Sequence, residues 1–476
     1  MAETLDPVTG LGARPEDPAQ TRVTSERMLL LTLAASILTG PWNFTMLVVA
    51  LPVIVEDLNV SLVTGAWIII APMLVSSSLQ SIGGRLGDLL GYRRMLFVAL
   101  LGYGVATLGA VVAPSFWVLL LMRCVQVTFG GATFPNSSAI IRVNLPPERR
   151  ATAFGVISAA LSTAAAAGPA VGGILAASLG WRAIFVANLP ITLAALALAL
   201  RYVPPDPERA AGRRFRIDLL GGLLLIGSIS SVAAPLQLLS SGVISASQLP
   251  WIYAGALLCL AAFIIWEARH TDPLIQVRLY LVGSYRAAVS GDFLAYIALF
   301  PITVAMSIFL QDIQNRSAIV TGLVLSFGAI GSALIAPFGG RLADRLGRRA
   351  PIMIGRGTSA LGLLLLFVIV GEGTSPLLLA AGLTVLSLGG GLATAASQAA
   401  AVESAPREFS GMAAGVAATT GFLGGIVGTT VASVYLGESP ELGQFHILLG
   451  GFLISTLLAV AVATRVRPWP GATPGG

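Results

Sequence analysis

Long apolar stretches, each sufficient to cross a bilayer, constrain this chain more than any other feature. They fall near residues 28–55, 62–83, 95–113, 116–140, 151–178, 184–203 and 218–239. They continue near 250–267, 285–311, 318–340, 350–371, 375–400, 410–436 and 444–465. A hydrocarbon core of ~30 Å is crossed by about 20 apolar residues in helical form. Such a helix bonds its own backbone polar groups where no water can. Only 11% of the residues are charged and 55% are hydrophobic, whereas a soluble domain carries about a quarter charged residues. The sequence therefore predicts an all-α integral membrane protein with fourteen spans.

Charge placement orients the spans. All 28 basic residues are Arg. With the first tail in the cytoplasm, 24 of them fall on that side, and only Arg182 and Arg316 fall outside. Arg123 and Arg356 lie within spans. An excess of Arg marks the cytoplasmic loops, so both termini are expected in the cytoplasm of a plasma (inner) membrane protein. Trp117, Trp181, Trp251, Trp266 and Trp469 stand at span ends, as interfacial residues do. Residues 1–27 are polar and read as a disordered tail. Cys124 and Cys259 sit in apolar spans, and the two His show no metal spacing, so no metal, haem or other cofactor is expected. No nucleophile–base set or phosphate loop occurs in the spans, which sets enzymes aside. A monomer without nucleic-acid partners is expected.

One short segment is written twice. "GGRLGDLLGYRR", Gly83 to Arg94, returns as "GGRLADRLGRRA", Gly339 to Ala350, at an offset of 256 residues. A long-period repeat marks a duplicated unit. Both copies fall in cytoplasmic loops, the first after span two and the second after span ten. Two six-helix units then occupy 28–203 and 285–465, and a segment at 204–284 inserts two further helices, 218–239 and 250–267. Residues 466–476 form a cytoplasmic tail.

From about residue 28 to 465 the chain resembles the fourteen-helix drug:proton antiporters of the major facilitator superfamily. The twice-written loop is similar to that family's gate loop. It places Gly84, Arg85, Asp88, Gly91, Arg93 and Arg94 in the first copy, and Gly340, Arg341, Asp344, Gly347, Arg348 and Arg349 in the second. "GPAVGG" (Gly168, Pro169, Gly172, Gly173) resembles the antiporter motif, and "WRAIFVANLP" and "LQDIQNRSAIVTGL" resemble two further family segments. Three departures stand out. "NFTMLVVALP" has Asn43 where family members carry an acid. "RCVQVTF" keeps Arg123 and Gln126 but has Val127 and Phe129 for glycines. Pro72 replaces a tyrosine. The resemblance implies alternating access between two bundles, with proton coupling through the first helix in question.

Physically, an Asp at a helix N-terminus is favoured by the macrodipole, and Arg can clamp it in a bidentate pair. Asp88 and Asp344 are thus candidates for a cytoplasmic latch, while the flanking Arg also serve simply to set topology. The glycines of 168–173 permit a close helix crossing, and Pro bends one. Charges within spans cost about 2.5–3.5 kcal/mol at a helix centre and need a partner or a wet cavity. At 1.5 Å per residue, Arg123 lies about 10 Å below the outer surface and Asp292 about 10 Å above the inner one. Asn43 is closer to Arg123 in depth and its better neighbour. Asp292 remains as the carboxylate able to carry a proton; equally, it is a structural acid satisfied by Arg286 or water. The resemblance implies that the first and fourth helices of each half line the cavity, where Phe44, Met46, Phe129, Phe134, Phe293, Tyr296 and Phe300 suit a lipophilic substrate. Export of small lipophilic molecules in exchange for protons is the function expected. A lipid or metabolite exporter, or a non-transporting receptor of the same fold, are the alternatives.

Overall fold

The computed structural model describes residues 18–60, 62–206, 219–240, 244–270, 277–316, 318–436 and 440–467. Sixteen α-helices and no strand occur among these residues. The first seven are α1 Pro18–Asp57, α2 Leu62–Leu90, α3 Tyr92–Val111, α4 Phe116–Gly130, α5 Thr133–Asn144, α6 Pro147–Leu179 and α7 Arg182–Tyr202. Two follow as α8 Leu219–Ser240 and α9 Leu249–Arg269. The last seven are α10 Gly283–Leu299, α11 Pro301–Ile308, α12 Ala318–Leu346, α13 Arg349–Ile369, α14 Pro376–Ser404, α15 Ser410–Leu436 and α16 Leu442–Ala463. Twelve helical segments among the described residues are long and apolar enough to cross a membrane.

Two expected spans stand with a break inside each, and one expectation is corrected. The expected span 116–140 is two helices, α4 and α5, broken at Gly131–Ala132, where paired glycines weaken the helix. The expected span 285–311 breaks between α10 and α11 at Pro301, which has no N–H to give and crowds the preceding turn. It then ends in a π turn, Phe309–Ile313. The polar tail is helical from Pro18 onward, because extending an existing helix costs little compared with starting one. Residues 1–17 and Trp469 lie outside the described residues.

Helices α1 to α7 pack among themselves, as do α10 to α16. The two groups meet chiefly where α6 crosses α12 and α2 crosses α15. Helix α8 lies against both α2 and α15, and α9 packs on α8, with Trp251, Leu257 and Leu258 exposed. The inserted pair thus sits beside the seam between the groups.

The cores differ between the two ends. At the end carrying the repeated loops, one buried cluster runs through both groups, including Ile140, Ala151 and Phe154 with Ala343, Ala400 and Met412. At the other end there are two separate clusters. One holds Ile54, Ile68, Phe116 and Trp181 of the first group, and the other Ile302, Leu366, Leu379 and Phe445 of the second. The groups are packed together at the repeated-loop end and packed only within themselves at the opposite end.

Candidate functional site

The repeated loops form a two-fold latch. Asp88 stands near the end of α2, and its carboxylate accepts the backbone N–H groups of Gly411 and Met412, each at 2.8 Å. Those residues open α15 in the other group. Tyr92 donates its hydroxyl to the same carboxylate at 2.8 Å. Asp344, near the end of α12, accepts the N–H of Ala151 at 3.0 Å and of Thr152 at 2.8 Å, both in the first turns of α6. The Thr152 hydroxyl adds a third bond at 2.6 Å. Asp88 therefore meets first-turn N–H groups of α15, which lack intrahelical partners, and Asp344 meets N–H groups near the positive end of α6, each helix coming from the opposite group.

The loop glycines explain how the helices come so close. A side-chain carbon on Gly84 would run into Gly411 O, and one on Gly340 into Ala151 O. Gly91 and Gly347 have φ of +110° and +82°, a turn that residues with a Cβ rarely adopt.

An arginine clamp is seen on Asp344. Arg348 donates to Asp344 at 2.7 Å and to both oxygens of Glu403 at 2.8 and 3.0 Å. It also reaches Pro147 O across the seam at 2.7 Å. In the first copy Arg85 lies over the Phe409 ring. Arg93 donates to Leu200 O, and the backbone N–H groups of Arg93 and Arg94 meet Asp206, so neither clamps Asp88. Arg341 lies over Phe338, and Arg349 is half-buried at the start of α13. Two latch residues were missed by sequence reasoning. Arg142 on α5 donates to the carbonyls of Glu403, Ala405 and Pro406 and to Ser410 Oγ, capping the end of α14 across the seam. Glu403 joins Arg348 and, at 3.8 Å, Arg150.

Each group buries an arginine within its spans. Arg123 Nη1 donates to Asn43 Oδ1 and Gln126 Oε1, both at 2.5 Å, and Gln126 Nε2 continues to Thr107 Oγ1 at 2.7 Å. Asp292 meets neither Arg123 nor Arg286. Its partner is Arg356 on α13, at 2.7 Å, with Ser397 Oγ donating to the same oxygen at 2.7 Å. Arg356 also donates to Ala459 O at 3.2 Å. A small cavity touches this pair and is lined further by Tyr296, Leu299, Gly390 and Thr394.

The antiporter segment brings α6 onto α1. A side chain on Gly168 would strike Thr45, and one on Gly172 would stand 2.6 Å from Met46 Cα. Gly173 makes only ordinary contact with Val49 at 3.5 Å, and Pro169 continues α6. Met46 is fully buried, its backbone lying under Gly172. Phe129 lies against Gly102 of α3, and Phe134 packs on the shared core; both are half-buried. Phe44 and Phe293 are half-buried. The Tyr296 and Phe300 rings lie tilted with centroids 5.2 Å apart, and Phe300 stacks on Phe422 of α15 at 5.9 Å; Phe422 was not anticipated.

Comparison with known proteins identifies this architecture. The Major Facilitator Superfamily pattern matches residues 33–285 and 288–475. The uncharacterized MFS-type transporter YwoD of Bacillus subtilis (strain 168) is 30% identical over 93% of this chain and 98% of its own. The multidrug resistance protein Stp of Mycobacterium tuberculosis (strain CDC 1551 / Oshkosh) is 31% identical over 85% of this chain and 75% of its own. The crystal structure of the human organic anion transporter MFSD10 (TETRAN) superposes with a TM-score of 0.67 at 19% identity, covering 91% of this chain and 99% of that one. The chain is a multi-pass membrane transporter and belongs to the Major Facilitator Superfamily.

Proposed function

We propose that this transporter exports small lipophilic molecules in exchange for protons, by rocking two bundles about the seam that the latch closes. The observation that carries this reading is the single core at the latch end against two separate cores at the other. Two groups packed together at one end and separately at the other match one state of alternating access. The bundles are 28–203 and 285–465, and α2 and α8, helical over 29 and 22 residues, complete fourteen spans with the twelve already counted. The latch end faces the cytoplasm, since the arginines crowd there, and the structure then stands open to the outside. Both termini are cytoplasmic and the membrane is the plasma membrane.

Asp292 is the proton carrier in this scheme. A proton on it neutralises the carboxylate and releases Arg356, so the charge of the second bundle changes with proton occupancy. The aromatic ladder Tyr296–Phe300–Phe422 supplies a pliable apolar wall. The kinship with a multidrug resistance protein supports a drug-like substrate.

Reconstituted vesicles test the scheme. With a pH gradient imposed, the wild type concentrates a lipophilic dye, and an uncoupler abolishes the uphill movement. Asp292→Asn loses uphill transport and keeps downhill exchange. Concentration that is indifferent to the uncoupler, or undiminished in Asp292→Asn, contradicts proton coupling through this acid.

A further inference from the structure

The two buried arginines are partnered differently. Arg356 has a carboxylate at 2.7 Å. Arg123 is only 2% exposed and takes part in none of the ion pairs found among the described residues. It has two neutral oxygens instead, from Asn43 and Gln126, both on Nη1.

Donors in this neighbourhood outnumber acceptors. Gln126 spends its own N–H on Thr107, whose hydroxyl donates to Tyr103 O. Arg123 Nε and Asn43 Nδ2 are buried and find no acceptor among the described residues. Turning the Asn43 amide would not help, because its oxygen is what Arg123 needs. Native interiors rarely leave buried donors unbonded, and a buried cation needs more than dipoles to offset its desolvation. Gly40 precedes Asn43 by three residues, on the same face of α1, and a side chain there would meet nothing within 4 Å.

We infer that Arg123 and Asn43 form a receiving site for an anionic group: the carboxylate of a lipophilic weak acid carried as substrate. A carboxylate supplies acceptors to both idle donors and neutralises a buried charge that has no ion-pair partner among the described residues. The substrate arm rests on the exporter reading; the site itself needs only an anion. An inorganic anion such as chloride shares the chemistry and is separated by the test.

The probes are pyrenebutyric acid, its primary amide and pyrenebutylamine, bound to the full-length protein in nanodiscs and followed by fluorescence anisotropy, with gluconate or chloride as the buffer anion. In gluconate the wild type binds the acid about tenfold more tightly than the amide, as a charge-assisted pair warrants, and the amine most weakly. Asn43→Asp, which brings its own carboxylate to Arg123, brings the acid-to-amide ratio to about one. Arg123→Gln does the same wherever it folds. If chloride weakens acid binding in the wild type and not in Asn43→Asp, the site also admits inorganic anions. Equal binding of acid and amide by the wild type with no chloride effect overturns the site, as does a ratio unchanged in Asn43→Asp. The same protein in vesicles keeps the two readings apart. Export of the amide without an acid preference removes this site alone, and failure to export any of the three removes the exporter reading.

Discussion

Asp88 and Asp344 close the same latch with different reserves. Removing the charge at Asp344 still leaves Arg348 bonded to Glu403 and to Pro147 O across the seam. Removing it at Asp88 weakens the acceptor that the N–H groups of Gly411 and Met412 share with the Tyr92 hydroxyl, and leaves Arg142 on Ser410 Oγ and Pro406 O across the seam. Hydrogen bonds to a charged group are worth about 1.5–3 kcal/mol each, so Asp88→Asn is expected to lower transport by roughly tenfold or more. Asp344→Asn is expected to lower it less. Efflux normalised to protein in the membrane checks the order, and wild-type rates in Asp88→Asn would sink the latch. At this scale the legible residues were those in the repeated motif. Arg356 was visible as an in-span charge, yet its pairing with Asp292 was not drawn. The clue was depth: Arg356 lies seven residues into α13 and Asp292 nine into α10, one level at 1.5 Å per residue. Arg142 and Glu403 gave no such clue, because each acts on a carbonyl or an ion from a distant helix.

Helix crossings explain the small residues better than motif membership does. Gly172 and Gly173 are neighbours in one motif, but only Gly172 faces backbone, at 2.6 Å from Met46 Cα. Gly172→Ala must push α1 away from α6 and is expected to cost about 1–3 kcal/mol. Gly173→Ala, with a side chain at 3.5 Å, is expected to be tolerated. Thermal unfolding in detergent separates the two, and equal losses would contradict the packing account. At the opposite end of α1, Asp57 accepts bonds from Trp181 Nε1 and Arg182, each at 2.9 Å. These hydrogen bonds, Trp181 first, hold its carboxyl below the usual carboxylate range. A depressed acid stabilises the fold above its unfolded pKa of about 3.9 and stops doing so as pH falls through the folded value. The melting difference between wild type and Asp57→Asn should be small, since the pair is exposed, and should shrink on acidification. A difference that grows instead would contradict this pairing. Span positions were readable from apolar length, whereas the breaks at Gly131 and Pro301 were not, because apolar length alone does not register a kink.

The molecule as a whole is two helix groups joined at one end. The loop copies stand 256 residues apart, and the described helices α1 to α7 and α10 to α16 pack in two groups. The state of the gate was not legible, since no local residue pattern says whether two bundles are together or apart. It became visible only as one core shared at the latch end and two cores at the other. The most direct test of rocking joins the groups where they now touch. Ser81 and Thr419 face each other across the seam with hydroxyls 3.0 Å apart. In a background with Cys124 and Cys259 replaced by Ser, the pair Ser81→Cys and Thr419→Cys should crosslink on oxidation. Transport in vesicles should stop with the crosslink and return on reduction. Full transport by protein shown to be crosslinked would contradict the account.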